Sequence, residues 1–248
     1  MPEPNQTFNR SLRLLGPDTF DALSRARIII FGVGGVGSWC AEALVRTGAA
    51  DITIVDPDTV AVSNINRQAM ATHSTIGLPK ALVMAERLRD INPDAKITPL
   101  TGVYTADTAA QFDLSSYTHI VDAIDSLADK ALLILNATAA PTHPLFVSSM
   151  GAALKSDPTK ISVAEFWKVT GCPLAAALRR RFKKSGLMPR RKFKCVYSPE
   201  LLANHPTEED LSGAMTFGKK AINGALCTVT ATFGMTLASL VIDSLRGK

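Results

Sequence analysis

A short apolar run followed at once by a glycine-rich loop constrains the fold of this chain more than any other feature. Residues 27–31 read Arg-Ile-Ile-Ile-Phe, a β-branched run typical of a strand buried on both faces. Residues 32–37 read Gly-Val-Gly-Gly-Val-Gly, and residues 38–47 then place apolar side chains at helical spacing before Gly48. A strand, a Gly-x-Gly-x-x-Gly loop and a helix in this order predict the first unit of a parallel α/β sheet.

Further strands and helices alternate along the chain. Strands are predicted at residues 51–55, 96–100, 120–123, 145–149 and 161–167, and helices over about 78–91 and 173–182. This alternation predicts a Rossmann-like, doubly wound and mostly parallel sheet in a single domain that spans residues 1–248.

Positive charge is concentrated in one segment. The chain carries 27 Lys and Arg against 22 Asp and Glu, but residues 166–199 hold ten of the basic residues and none of the acidic ones. The ten are Lys168, Arg179, Arg180, Arg181, Lys183, Lys184, Arg190, Arg191, Lys192 and Lys194. The rest of the chain is therefore acidic, and the segment (about 168–198), interpreted as a basic insertion, predicts a localised anion-binding surface.

The cysteines and the two termini indicate a reducing, cytoplasmic environment. Cys40, Cys172, Cys195 and Cys227 form no Cys-x-x-Cys pair, which argues against structural zinc and against a disulfide framework. Residues 1–15 lack the apolar core of a secretory signal peptide. Residues 221–242 carry no charge and are long enough to cross a bilayer, but their hydroxyl side chains and glycines favour a buried C-terminal helix over about 221–246, and we expect no membrane insertion.

The glycine loop and the acid that follows the second strand favour an adenine nucleotide as ligand. Gly32 permits a tight turn, Gly34 lets the backbone approach a phosphate or ribose, and Gly37 lets the helix pack closely on the strand. Asp56 lies 24 residues after Gly32, at the end of the second predicted strand, where a carboxylate can accept ribose hydroxyls. This pattern alone leaves NAD, FAD and ATP open.

Cations and a further carboxylate favour ATP among these. Arg67 and Lys80 follow the second strand, and a triphosphate under attack at phosphorus needs such cations because charge develops on its oxygens. Asp125 follows the fourth strand, at the sheet edge where ligands bind, and could hold a magnesium ion that bridges phosphates. A nicotinamide-dependent oxidoreductase would explain the glycines and Asp56 but would leave these three residues unexplained.

Motifs across residues 8–150 resemble the ubiquitin-activating-enzyme-like adenylyltransferases (the ThiF/MoeB/HesA group), which activate the sulfur carriers of molybdopterin and thiamine synthesis. The matching motifs are Gly32-Val-Gly-Gly35-Val-Gly37, Asp56-Pro-Asp58, Asn64-Ile-Asn-Arg67-Gln68, Pro79-Lys80 and Asp122-Ala-Ile-Asp125. Within that group the chain most resembles the tRNA threonylcarbamoyladenosine dehydratases. The closer matches include Arg46-Thr-Gly48, Asp90-Ile-Asn-Pro93 and Cys195-Val-Tyr-Ser198, and they extend over nearly the whole chain.

The resemblance implies roles for individual residues. Asp56 would bind the ATP ribose, with Asp58 and the four loop glycines in the same site, and Asn64, Arg67 and Lys80 would contact the phosphates. Asp125 would lie beside magnesium and the triphosphate. Arg10 resembles an N-terminal arginine that the family donates across a homodimer interface to the partner's ATP.

The implied reaction is an ATP-dependent cyclisation of N6-threonylcarbamoyladenosine in tRNA, through an acyl-adenylate. The basic segment would contact tRNA, with Phe182, Phe193 and Tyr197 available to stack on bases. Cys195 lies among cations that would lower its thiol pKa in an open site, the alternative being a packing cysteine in a strand. The competing interpretations are an adenylyltransferase for a sulfur-carrier or ubiquitin-like protein, which would need a carrier or sulfur-relay partner, and a non-catalytic tRNA-binding scaffold.

Overall fold

The structure is a computed structural model and describes residues 4–205 and 223–247. The strands in these ranges are β1 (Arg27–Phe31), β2 (Asp51–Val55), β3 (Lys96–Leu100), β4 (His119–Asp122), β5 (Leu145–Ser149), β6 (Ser162–Glu165) and β7 (Lys194–Tyr197). The helices are α1 (Pro4–Thr7), α2 (Asn9–Leu15), α3 (Pro17–Arg25), α4 (Gly37–Thr47), α5 (Lys80–Ile91), α6 (Leu127–Ala139), α7 (Pro173–Ser185) and α8 (Cys227–Leu245).

The seven strands of the described ranges form one sheet in the order β3-β2-β1-β4-β5-β7-β6. Every pairing is parallel except that of β6 with β7, where β6 closes one edge of the sheet in the antiparallel direction. The strand order reverses between β1 and β4, and open α/β sheets bind ligands in the crevice beyond the carboxyl ends of the strands at such a reversal. The predicted Rossmann-like fold is thereby confirmed.

Most element bounds match the predictions to within a few residues. The strands predicted at 51–55, 96–100 and 145–149 have those bounds, and β4 begins one residue earlier than expected. Helix α5 begins at Lys80 rather than at 78, because Pro79 precedes it in an extended conformation. Helix α7 continues to Ser185, so Lys183 and Lys184, which follow the predicted end of the helix at 182, are also helical.

Hydrophobic layers cover both faces of the sheet. Ile28 and Ile30 point into a layer that contains side chains of α4, α5 and α8, whereas Ile29 and Phe31 point into a layer formed with α6 and α7. Successive strand side chains alternate between faces, so an uninterrupted apolar strand such as β1 requires helices on both sides.

The uncharged C-terminal segment contains α8, which begins at Cys227 rather than at about 221, because residues 223–226 are not helical. One apolar face of α8 packs against α4. Val229, Phe233, Leu237 and Val241 recur every four residues and are buried in the first layer. A Cβ on Gly234 would lie 2.4 Å from the Val36 carbonyl oxygen, so the two helices cross at very short range. Among the described residues α8 alone is long and apolar enough to cross a membrane, and its packed face accords with the predicted core helix; residues 221 and 222 of that prediction lie outside the described residues.

The basic segment supplies an internal strand of the sheet, because β7 lies between β5 and β6. Phe182 and Phe193, which were expected to stack on nucleic-acid bases, are only 1% and 6% exposed and belong to the second hydrophobic layer. That expectation is wrong for both residues, because their rings are buried against the sheet.

Cys195 lies on β7 and is fully buried. Burial raises the pKa of its thiol far above the ordinary value, so the expectation of a cation-activated thiol is wrong and the alternative of a packing cysteine holds.

Candidate active site

The glycine loop lies at the sheet reversal and is in direct contact with the loop after β4. Gly32 has a φ of 85°, and a Cβ on it would lie 2.7 Å from the Ala123 carbonyl oxygen. A Cβ on Gly37 would lie 1.8 Å from the Gly32 carbonyl oxygen. Neither position has room for a side chain, so α4 begins directly beside the crevice.

Asp56 joins the glycine loop to the end of β2. Its carboxylate accepts hydrogen bonds from the Val33 N–H at 2.8 Å and from the Asp58 N–H at 3.0 Å. Burial raises the pKa of the Asp56 carboxyl, although the two backbone donors and the nearby Lys80 oppose the shift. The side chain thus lies at the base of the crevice, where the end of β2 meets the glycine loop.

Lys80 pairs with Asp58 at the entrance to α5. The Lys80 ammonium lies 2.8 Å from Asp58 Oδ2, and the Lys80 side chain is 8% exposed whereas that of Asp58 is 64% exposed. Because Asp58 also donates its N–H to Asp56, a continuous chain of hydrogen bonds links Lys80 to the glycine loop.

Arg67 lies over the glycine loop. A Cβ on Gly35 would be 3.2 Å from Arg67 Cγ, and the Arg67 carbonyl accepts a hydrogen bond from Trp39 Nε1 at 2.9 Å. Its guanidinium donates to the Ser63 carbonyl and to Asn66 Oδ1, both at 2.9 Å.

Asn64 shapes the segment that carries Arg67. It is buried, and its Oδ1 accepts a hydrogen bond from the Ala61 N–H at 3.1 Å. In the described residues, the Asn64 side-chain oxygen therefore stabilises a turn. The contact between Asn64 and phosphate that the resemblance implies stays a prediction.

Asp125 follows β4 at the crevice, and its side chain is exposed. The described residues contain no group of three or more His, Cys, Asp or Glu side chains that could hold a metal ion. A single carboxylate is a donor that a magnesium ion could share with the phosphates of a substrate, because proteins often hold this ion with one or two carboxylates and substrate phosphates.

An ion pair that the sequence reasoning missed lies beneath Asp125. Asp122 and Lys130 are both fully buried, and the Lys130 ammonium lies 2.8 Å from Asp122 Oδ2. The available signal was the presence of these two charges in the otherwise apolar segments 120–122 and 130–135.

Arg10 lies on α2 and lines a surface cavity together with Thr47, Asp243 and Arg246. Thr47 ends α4, whereas the first residue of that helix is in the glycine loop. Eleven helical residues span about 16 Å, so the structure does not bring Arg10 to the glycine loop of its own chain.

The cations of the basic segment divide into two groups. Arg179 donates to the Phe166 and Val169 carbonyls, and Arg191 donates to the Ala137 and Thr138 carbonyls, so both guanidinium groups are engaged in the fold. The remaining cations are exposed: Lys168, Arg180, Arg181, Lys183, Lys184, Arg190, Lys192 and Lys194.

The last cations of the basic segment, at residues 190–194, lie away from the crevice. Lys194 is the first residue of β7, which runs parallel to β5, so it lies at the amino ends of the strands. Arg191 binds the last turn of α6 at the same end of the sheet. The glycine loop lies at the carboxyl ends, and the two features are separated by the length of the strands.

The sequence of the chain is similar to a known protein family and to named enzymes. The model of the ThiF family matches residues 8–248. The chain is 40% identical to the tRNA threonylcarbamoyladenosine dehydratase of Escherichia coli, with 98% of the chain and 94% of the relative covered. It is 35% identical to the enzyme of the same name from Haemophilus influenzae, with the same coverage of 98% and 94%.

A solved structure extends this similarity to the fold. The crystal structure of the E. coli tRNA N6-threonylcarbamoyladenosine dehydratase in complex with ATP is 38% identical to the chain, with a TM-score of 0.83 and with 97% of this chain and 94% of that chain covered. With a family model that spans almost all of its residues and relatives that match it nearly end to end, this chain belongs to the ThiF family.

Proposed function

We propose that this chain catalyses the ATP-dependent dehydration of N6-threonylcarbamoyladenosine in tRNA. The observation that carries the proposal is the hydrogen-bonded chain that joins the glycine loop through Asp56 and Asp58 to the buried ammonium of Lys80. Two relatives that match the chain nearly end to end bear the name of this activity, and the E. coli enzyme has been crystallised with ATP.

The cations at the crevice favour ATP over a dinucleotide. A dinucleotide pyrophosphate is largely balanced by the N-terminus of the helix after the glycine loop. Arg67, which lies over that loop, and Lys80 add positive charge that a triphosphate would use as pyrophosphate departs.

The proposed reaction has two steps. The threonyl carboxylate of the substrate attacks the α-phosphate of ATP, the bond to the β-phosphate breaks, and pyrophosphate leaves with its charge balanced by Arg67 and Lys80. A nitrogen of the same modified side chain then attacks the activated carbonyl, AMP leaves with the former carboxylate oxygen, and a proton is released. The second step is intramolecular, so the protein contributes mainly by positioning the reacting groups.

Asp125 is the residue we propose to hold magnesium, together with the phosphates. A magnesium ion bound there would neutralise phosphate charge. The exposed carboxylate of Asp125 on the loop after β4 supports this assignment.

We further propose that the eight exposed cations of the basic segment bind the phosphate backbone of the tRNA. Phosphate contacts set the position of a nucleic acid on a protein without reading its sequence. Because residues 190–194 lie at the amino ends of the strands, these contacts would involve the body of the tRNA rather than the nucleoside in the crevice. We also propose that the enzyme acts in the cytoplasm.

Arg10 supports the proposal that the enzyme works as a homodimer. Its side chain lies at the far end of α4 from the glycine loop, so an Arg10 contact with ATP would have to come from the partner subunit. Mixing and reassembling Arg10→Ala and Lys80→Ala proteins should restore part of the activity, because one site of the mixed dimer carries neither change. Two inactive variants that stay inactive after reassembly would contradict this arrangement.

The decisive experiment is a reaction with purified components. The protein is incubated with ATP, magnesium and tRNA that carries N6-threonylcarbamoyladenosine, and the nucleosides are analysed by mass spectrometry. We expect loss of one water from the modified nucleoside and release of AMP, with neither product when NAD replaces ATP. Release of AMP only after addition of a sulfur-carrier protein would instead support the carrier-activating alternative.

A further inference from the structure

A fully buried ion pair lies directly beneath the loop that carries Asp125. Asp122 ends β4, Lys130 lies in the first turn of α6, and neither side chain has any exposed surface. The Lys130 ammonium lies 2.8 Å from Asp122 Oδ2, which also accepts a hydrogen bond from Ser148 Oγ at 2.7 Å. The function proposed above assigns no role to this pair.

The pair holds both polar groups of the residue that precedes Asp125. The Ile124 N–H donates to Asp122 Oδ1 at 3.1 Å, and the Ile124 carbonyl accepts from the Lys130 ammonium at 2.9 Å. The preceding carbonyl, that of Ala123, is the atom that a Cβ on Gly32 would meet at 2.7 Å. The same short loop thus forms one wall of the glycine loop and carries the carboxylate of Asp125.

Stability alone does not account for two charges at this position. Removing two charges from water is costly, and an apolar pair of similar volume often gives equal or greater stability than a buried ion pair. What an apolar pair lacks is a directional bond to the Ile124 peptide. The benefit of the ion pair is therefore the fixed geometry of the loop.

We infer that Lys130 is a positioning residue for the adenylation step, which it serves by fixing the loop that presents Asp125 to the triphosphate. This inference rests on the function proposed above and adds a residue that does not itself touch ATP. Displacement of a reacting group by about 1 Å can cost about 100-fold in rate, which is the size of effect expected here.

The test uses a double variant that separates stability from positioning. Lys130→Met alone leaves the buried Asp122 charge unpaired and should lower Tm strongly. Asp122→Leu combined with Lys130→Met removes both charges, and we expect its Tm to fall less than that of Lys130→Met alone, although Ile124 and Ser148 lose their hydrogen-bond partners. Its rate of AMP release should nevertheless fall about 100-fold, mostly through kcat rather than through KM for ATP.

Two further variants show whether the effect passes through Asp125. Ser148→Ala removes a hydrogen bond to the same carboxylate without touching Ile124, and this matched control should retain most of the activity. Asp125→Asn should lower the rate in the unsubstituted protein but add little to the double variant, because coupled residues are not additive.

The outcomes are distinct. A double variant that is folded at the assay temperature and releases AMP at the unsubstituted rate would overturn the inference, as would full additivity with Asp125→Asn. If the unsubstituted protein itself releases no AMP with modified tRNA, the proposed function fails, and this inference fails with it.

Discussion

At the scale of single residues, the two cations beside the crevice are held by contacts along their side chains. Lys80 is buried along its length but meets Asp58, which is well exposed, so the ion pair lies at the boundary between protein and solvent. Arg67 is likewise packed against Gly35 while its guanidinium bonds to nearby oxygens of its own loop. Both side chains are thus held in place by the protein, which suits their proposed role of balancing the charge of a triphosphate.

Lys80→Ala should reduce AMP release by about 100- to 1,000-fold, because a positive charge at the departing phosphates is lost. Its partner Asp58 is exposed and can be solvated, so the fold and the affinity for tRNA should be unchanged. Lys96→Ala is the matched control. This lysine, at the start of β3, is also paired with an aspartate, Asp51, but it is exposed. Both variants are compared by AMP release, thermal unfolding and tRNA binding; an unimpaired Lys80→Ala would contradict the assignment.

Gly35→Ala should weaken ATP binding about tenfold, which corresponds to about 1.4 kcal/mol, while the protein still folds. The added Cβ would lie 3.2 Å from Arg67 Cγ and 3.3 Å from Thr230 Cβ, so the flexible arginine must shift away from the loop. Gly102→Ala serves as the control because a Cβ there meets nothing within 4 Å. Calorimetric titration with ATP measures the difference, and equal affinities of the two variants would rule out the proposed place of Arg67.

At the scale of elements, α8 is attached to the sheet by packing along one face and by a polar contact at its end. Phe233 and Leu237 fill the layer beneath α4, whereas the Ser244 hydroxyl lies 3.0 Å from His119 Nε2 at the start of β4. The other ring nitrogen of His119 contacts Thr118 Oγ1 at 2.8 Å. The imidazole therefore connects the start of β4 with the last turn of α8.

His119 should make stability depend on pH. Burial lowers its pKa from 6.5 to about 4, so between these values the unfolded chain binds a proton that the folded chain does not. Stability contributed by the neutral ring is therefore lost as the pH falls from about 6.5 towards 4, by about 2 kcal/mol between pH 7 and pH 5.

His119→Gln should remove this component, so its free energy of unfolding should fall by about 2 kcal/mol less than that of the unsubstituted protein over the same interval. Urea unfolding at pH 7 and pH 5 measures both differences. Parallel pH dependences for the two proteins would show that the histidine is not responsible.

At the scale of the whole molecule, the crevice and the last cations of the basic segment, at residues 190–194, occupy opposite ends of the strands. The glycine loop follows the carboxyl end of β1, and Lys194 begins β7 at the amino end of the sheet. A tRNA that places its modified nucleoside in the crevice can reach the cations only with a more distant part of its backbone. Substitutions of the exposed cations should therefore change the affinity for tRNA, whereas substitutions in the crevice should change the rate of AMP release.

Arg180→Ala combined with Lys184→Ala should weaken tRNA binding and reduce the slope of log K against log salt by up to about 1.8, because two exposed cations on α7 are lost. ATP binding should not change. Arg179→Ala should behave differently and cost about 1–3 kcal/mol of stability, since two carbonyls lose their donor. Binding isotherms at several salt concentrations, with thermal unfolding in parallel, distinguish the cases; an unaltered slope in the double variant would remove these cations from the tRNA surface.

Much of the nucleotide site was predictable because its signals are local in the sequence. The strand β1, the glycines after it and Asp56 at the end of β2 follow from residue type and spacing, since only glycine fits where Gly37 meets the Gly32 carbonyl. Arg67, Lys80 and Asp125 followed from the chemistry of phosphates and from matching motifs. Their placement needed only the rule that parallel strands end at one edge of the sheet.

The sequence by itself thus determined the class of fold, the position of the crevice and the charged residues around it, because those depend on local periodicity and backbone conformation. Only the tertiary structure decided that Phe182 and Phe193 are core residues, that Arg179 and Arg191 serve the fold, and that Lys130 reaches Asp122. Burial and pairing depend on which elements meet in space, and a side chain carries the same sequence signal whether it faces a partner or solvent.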